Sequence, residues 1–177
     1  PFSPGWQKQF VEMVNNGVPV IHFIADNHGN GDGGRFIMDM LLEAHNMLIE
    51  LGIRDKITLL NSGGVVAADH LPKAIICGLD AVCLDQPLLV AMQARLSGEL
   101  SERDGYQAKM PRKFKDDWAI QRLVNLSCSW RDQMLEILGA MGIREVRRLR
   151  GEVGRAMWCS KLEDEAFSEF EGYVGGE

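Results

Sequence analysis

Lys56-Ile-Thr-Leu-Leu-Asn61, followed directly by Ser62-Gly63-Gly64, is the stretch on which the fold turns. Its first part is short, apolar and bounded by polar residues, the pattern of a buried strand. The Ser-Gly-Gly turn leads into Ala67 to Cys77, which reads as a short helix. Pro72 fits that helix only within its first turn. Gly78 closes the helix, and Ala81-Val-Cys-Leu-Asp85 reads as the next strand. Pro87 then opens another helix, predicted to run to about Leu96, because a missing N–H does no harm at a helix start.

The same alternation extends upstream. Trp6, Phe10, Met13 and Val14 lie at helical spacing within Pro4 to Val14. Val18 to Ala25 is an apolar run with His22 as its one polar interruption, predicted to be a strand buried on both faces. His22 itself reads as a satisfied core residue. A Gly-rich loop covers Asp26 to Gly34. Phe36, Ile37, Met40, Leu41, Ala44, Met47, Leu48 and Leu51 then form one apolar stripe of a helix. Strand, helix, strand, helix, strand, helix predicts an α/β fold with a parallel sheet and right-handed crossovers.

Downstream the pattern breaks. Residues 97–116 are polar, mixed in charge and contain Gly98, Gly105 and Pro111, so they read as a loop or excursion. A long helix follows from about Asp117 to Met141, with Ile120, Leu123, Val124, Ser127, Trp130, Met134, Ile137, Leu138 and Met141 expected inward. Ile143 to Leu149 reads as a short basic turn. The organisation is therefore βα units over 1–96, an excursion over 97–116, a helical segment over 117–160 packing on them, and an acidic tail over 161–177. Three strands are too few to close a barrel, which takes eight. A free three-stranded sheet would expose both edges. The piece is expected to join the remaining N-terminal part of a larger barrel, or a second copy of itself.

Composition narrows the function classes. The 177 residues are 46% hydrophobic, which indicates a globular chain with a core. A net charge of -6 argues against a general nucleic-acid binder. No apolar run approaches the about 20 residues of a membrane span, and no signal peptide is visible. Cys77, Cys83, Cys128 and Cys159 form no C-x-x-C pair. Cys77 and Cys83 lie in apolar sequence, so buried free thiols and a reducing cytoplasm are expected, with no metal site.

Three turns carry candidate chemistry. At Ser62, Gly63 and Gly64 the backbone can approach a ligand closely and present amides to a phosphate, although the same turn also serves as a tight βα connection. One βα unit on, Asp85-Gln86-Pro87 lies at the same end of the neighbouring strand. It is either the second half of a phosphate site or a helix start with Asp85 as N-cap. The loop Asp26-Asn27-His28-Gly29-Asn30-Gly31-Asp32-Gly33-Gly34 contains the candidate catalytic groups His28 and Asp26. Gly29, Gly31, Asp32, Gly33 and Gly34 suit a loop that covers substrate. It lacks the spacing and the terminal Glu of an EF-hand. Its formal G-x-G-x-x-G is discounted, because the next strand ends in Asn61 rather than an acid. His45 and His70 read as structural. Arg144, Arg147, Arg148, Arg150 and Arg155 read as a solvated face or a contact with a partner domain.

Gly52-Ile-Arg-Asp-Lys-Ile-Thr-Leu-Leu-Asn-Ser-Gly-Gly64, Lys73-Ala-Ile-Ile-Cys-Gly-Leu-Asp-Ala-Val82 and Pro87-Leu-Leu-Val-Ala91 together resemble the FMN-binding central domain of glutamate synthases. The similarity is nearest to archaeal-type and glutamate-synthase-related proteins. It resumes at Arg122-Leu-Val-Asn125 and Leu135-Glu-Ile-Leu-Gly-Ala-Met-Gly-Ile143 and covers about residues 18 to 157. The resemblance implies the C-terminal part of a (β/α)8 TIM barrel plus a long helix. It also implies an FMN-dependent oxidoreductase that forms glutamate reductively from 2-oxoglutarate and ammonia, served by electron-donor and ammonia-supplying domains. It assigns the flavin phosphate to Ser62, Gly63 and Gly64, completed by Asp85 and Gln86, and it faces the Asp26 to Gly34 loop toward flavin and substrate. Relatives carry the cysteine ligands of a [3Fe–4S] cluster near Arg95 to Pro111. This chain has none there, so no cluster is expected in this segment. Asp85-Gln86-Pro87 also stands where many relatives have Gly-Thr. The alternative to a flavoenzyme fragment is a non-catalytic half-barrel that serves as a scaffold or assembly domain.

Overall fold

The computed structural model describes residues 5–31, 33–98, 105–113 and 115–152. Asp32, Arg155, Cys159 and the acidic tail lie outside the described residues. Helix α1 (Trp6–Asn15) precedes strand β1 (Val20–Ile24), helix α2 (Ile37–Glu50), strand β2 (Thr58–Ser62), helix α3 (His70–Ile76), strand β3 (Ala81–Cys83) and helix α4 (Gln86–Ala91). A hairpin, β4 (Arg95–Gly98) and β5 (Tyr106–Lys109), leads to helix α5 (Asp116–Ala140). A 3₁₀ turn at Val146–Leu149 follows.

The three central strands form one parallel sheet in the order β1-β2-β3. In register, Ile24 pairs with Ser62 and Ser62 with Cys83, so the three strands end side by side. This is the α/β architecture expected, a segment of a (β/α)8 barrel. Each element buries one face. Ile21 and Phe23 of β1, Leu59 of β2 and the α2 residues Met40, Leu41, Ala44 and Leu48 share one core. Trp6 and Phe10 of α1 meet Phe23 edge-on or tilted, with centroids 5.8 and 6.1 Å away, the offset geometry that aromatic quadrupoles favour.

Strands β1 and β3 leave one face exposed, which corrects the reading of Val18 to Ala25. Along β1, Val20 and His22 are exposed while Ile21 and Phe23 are buried. Ala81 and Cys83 are exposed on β3. His22 is therefore not a core residue, and of the thiols expected to be buried only Cys77 is partly so; Cys83 and Cys128 are exposed. The cause is geometric. The strand run is apolar because it suits a closed barrel, and in this chain helices cover only the outer side of the sheet.

Three boundaries also differ. Phe36 sits before α2 in extended conformation as its N-cap. Helix α3 starts at His70 rather than Ala67, and Pro72 falls in its first turn, where it is harmless. Helix α4 stops at Ala91 rather than Leu96, because Gln93 takes a left-handed φ of 58°. Gln93 N–H donates to Val90 O and Ala94 N–H to Leu89 O, a Schellman closure made without glycine. That closure frees Arg95 to begin the hairpin, so the excursion contains two antiparallel strands. Helix α5 is also less inward than its pattern suggests. Met134 and Leu138 are buried, but Ile120, Val124 and Ser127 are exposed.

Candidate functional site

The parallel register brings the loops after β1, β2 and β3 to one end of the sheet. Ala25 N–H donates to Ser62 O at 2.8 Å, which locks the first loop to the second. Gly63 and Gly64 adopt positive φ of 88° and 73°. Their missing side chains make room for protein. A Cβ on Gly63 would meet Ala25 O and, at 2.6 Å, Asp26 O; one on Gly64 would meet the Gly29 backbone. Glycine here is thus required first for loop-to-loop contact. The Gly63 and Gly64 amides make no hydrogen bond among the described residues.

The first loop is organised rather than slack. Asp26 Oδ1 accepts from His28 N–H at 2.9 Å and Asn30 N–H at 2.8 Å, an Asx-type turn. Gly31 N–H donates to Arg35 O and Ile37 N–H to Gly29 O, both at 2.8 Å. One Asp26 oxygen is thereby committed to loop structure. His28 is exposed, and Gly29 is buried beside Gly64. The structure therefore gathers Asp26, His28 and Gly29 beside Ser62, Gly63 and Gly64. Gly31, Gly33 and Gly34 lie farther along the same loop, where a Cβ on Gly33 or Gly34 would meet open space.

At the third corner Asp85 Oδ1 accepts from Gln86 N–H at 2.6 Å. Asp85 thus caps its own helix, as the helix-start reading expects. That amide is satisfied internally, and the exposed Asp85 carboxylate places negative charge at this corner. The Gln86 side chain turns elsewhere: its Nε2 is buried without a hydrogen-bond partner.

Two residues support the glycine turn: Asn61, which sequence reasoning did not single out, and His70, which it read as structural. Asn61 is fully buried, and its Nδ2 donates to Gly63 O at 3.2 Å, while its Oδ1 finds no partner among the described residues. His70 Nδ1 accepts from Val66 N–H at 3.3 Å and lies 3.1 Å from Gly64 O. Asn61 thus holds the glycine turn itself, and His70 holds the Val66 amide that follows it. The only sequence signal for Asn61 was its polar side chain inside an apolar strand run.

At the opposite end, Arg54 is buried and fully engaged. Its guanidinium donates to His45 Nδ1 at 3.0 Å, Ile57 O at 2.7 Å, Gly78 O at 2.6 Å and Asp80 Oδ2 at 2.9 Å. Arg150 adds ion pairs to Asp80 and Asp55. Burial, then the neighbouring Arg54 and Arg150 charges, hold the His45 pKa below its ordinary value. Asp80 is also lowered: burial raises its pKa, and the Leu59 amide and both arginines outweigh that. Arg150 thus has defined partners, whereas the exposed Arg144, Arg147 and Arg148 have no ion pair among the described residues. Charged groups at this N-terminal end of barrel strands serve stability.

Comparison with known proteins agrees with the geometry. Residues 31–144 match the conserved region in glutamate synthase. The archaeal glutamate synthase [NADPH] of Archaeoglobus fulgidus is 31% identical over 78% of this chain and 30% of its own length. That of Methanocaldococcus jannaschii is 31% identical over 61% of this chain and 22% of its own length. The chain thus spans less than a third of these relatives. Among solved structures, the recombinant flavin-binding domain of baker's yeast flavocytochrome b2 aligns over 96% of this chain and 39% of its own, with a TM-score of 0.56 and 18% identity. A double mutant of flavocytochrome b2 with pyruvate bound gives the same values. At that identity the likeness speaks for the fold alone. No helix among the described residues is long and apolar enough to cross a membrane. With its parallel βα units and a family match that runs from the Gly-rich loop to the end of α5, the chain belongs to the glutamate synthase family.

Proposed function

We propose that this chain is the flavin-phosphate end of a glutamate-synthase-type oxidoreductase, completed by the remaining N-terminal strands of its barrel. The observation that carries this reading is the Gly63-Gly64 corner, with two unengaged amides beside the His28 loop, inside a chain of this family. Ser62, Gly63 and Gly64 would hold the FMN phosphate through backbone donors, which suit an anion. Bound flavin would supply the hydride chemistry of reductive glutamate formation from 2-oxoglutarate and ammonia. Asp26 shapes the first loop, and exposed His28 presents its imidazole beside the glycine corner as the candidate catalytic group. Gly29, Gly31, Asp32, Gly33 and Gly34 would cover substrate. Electron-donor and ammonia-supplying domains are the expected partners, and the cytoplasm the expected compartment.

The residues fit a phosphate unevenly. The glycine corner offers donors, while Asp85 opposes an anion and has already captured the Gln86 amide. That asymmetry also favours the second reading, a half-barrel scaffold without flavin. FMN titration of the protein with its upstream strands, followed by flavin fluorescence, separates the two. Saturable binding is expected, and Asp85→Asn should tighten it several-fold by removing a like charge. Absence of flavin binding in both proteins leaves the scaffold. A Gly63→Asp variant is unsuitable, because its side chain would collide with the first loop before reaching any ligand.

A further inference from the structure

A cavity opens behind the third corner, with Gln86 and Pro87 in its wall and the Gly63 corner outside it. Helices α4 and α5 diverge around a cleft of about 430 Å³, within the range of small-molecule sites. Arg122, Asn125 and Ser129 line it from α5 at i, i+3 and i+7, one face of the helix. Leu126 and Trp130 stand beside them, and Val90 faces them from α4. Among the described residues no Asp or Glu lines the cleft.

Its polar groups are donors in want of an acceptor. Gln86 Nε2 is buried with no partner, an unusual state for a polar atom. The Arg122 guanidinium is anchored by Nε, which donates to Ala91 O at 2.8 Å, and by the Trp118 ring at 5.9 Å from its Cζ. Its two terminal nitrogens make no hydrogen bond or ion pair among the described residues. Asn125 uses its Oδ1 to accept from Gln121, which leaves its amide nitrogen to donate. One fixed cation and several neutral donors, set against Trp130, Leu126 and Val90, match a single planar anion attached to an apolar body. A phosphate dianion would be under-neutralised here and would leave the apolar wall bare.

We propose that the α4–α5 cleft binds a small carboxylate with an apolar or aromatic body, its carboxylate on the Arg122 guanidinium and the Asn125 amide nitrogen and its body on Trp130. This site stands whether or not the corner at Gly63 holds flavin. The probe is sodium phenylacetate, titrated into the protein by calorimetry and followed by the indole N–H signal of Trp130 in nitrogen-15 correlation spectra. Saturable one-to-one binding is expected, with the Trp130 signal shifting along the same curve. Phenylacetamide, which lacks the charge, and acetate, which lacks the ring, should each bind at least about tenfold more weakly. Arg122→Gln should lose about tenfold in affinity, and Arg122→Lys should retain part of it because charge survives without the planar fork. The proposal is overturned if phenylacetamide or acetate binds as tightly as phenylacetate. It is equally overturned if the Trp130 signal stays still, or if inorganic phosphate displaces the probe. The spectra of the unmodified protein decide the matter even if an Arg122 variant folds poorly.

Discussion

Gly63 and Gly64 show how one residue type can answer two demands. Their positive φ and the backbone pressed against them exclude any Cβ, so the turn is as much a joint between loops as a ligand cradle. Gly64→Ala is expected to destabilise the fold by about 2–4 kcal/mol, measured as a lower denaturant midpoint at unchanged slope. His45 makes a second residue-scale prediction. Its Nδ1 accepts from Arg54, so the folded state holds the neutral ring. The folded pKa lies below the 6.5 of a free histidine. Between those values the unfolded chain binds a proton that the folded chain refuses. Stability is therefore full above pH 6.5 and declines as pH falls below it. Urea unfolding at neutral and mildly acidic pH should show this decline, and His45→Gln should flatten it.

At the scale of elements, the Arg54 guanidinium ties α2, the strand β2 and the turn into β3 to one centre. Arg54→Met keeps the volume of the stem but orphans the Gly78 and Ile57 carbonyls and the Asp80 carboxylate. It is expected to cost about 3–5 kcal/mol, measured by equilibrium denaturation, because a buried partner is left uncompensated. Arg150→Ala, at a partly exposed pair, should cost only about 1–2 kcal/mol. Helix α4 shows the limit of reading elements from pattern. Its closure at Gln93 uses a residue that carries no stop signal, so the periodicity ran on into what is strand β4. The corner glycines, by contrast, were legible, because their position after a strand has few physical meanings.

For the molecule as a whole, the uncovered sheet face dominates. Val20, His22, Ala81 and Cys83 present one side of the sheet to solvent, and β1 and β3 each pair on one side only among the described residues. Such a surface favours further pairing. The 177-residue chain alone is expected to associate reversibly with concentration in sedimentation runs. Supplied with the further barrel strands proposed to complete it, the chain should run as one discrete species.

The order of the βα units, the parallel sheet and the position of the three corner turns were legible in sequence alone, because apolar periodicity and glycine placement report local conformation directly; the family was legible there as a resemblance of whole motifs. Which strand face stays uncovered, where α4 ends, that Asp85 caps its own helix and that Gln86 faces a cleft were decided only by tertiary structure. Those outcomes depend on which distant segments arrive to cover a surface or take a hydrogen bond, and no local pattern encodes that arrival.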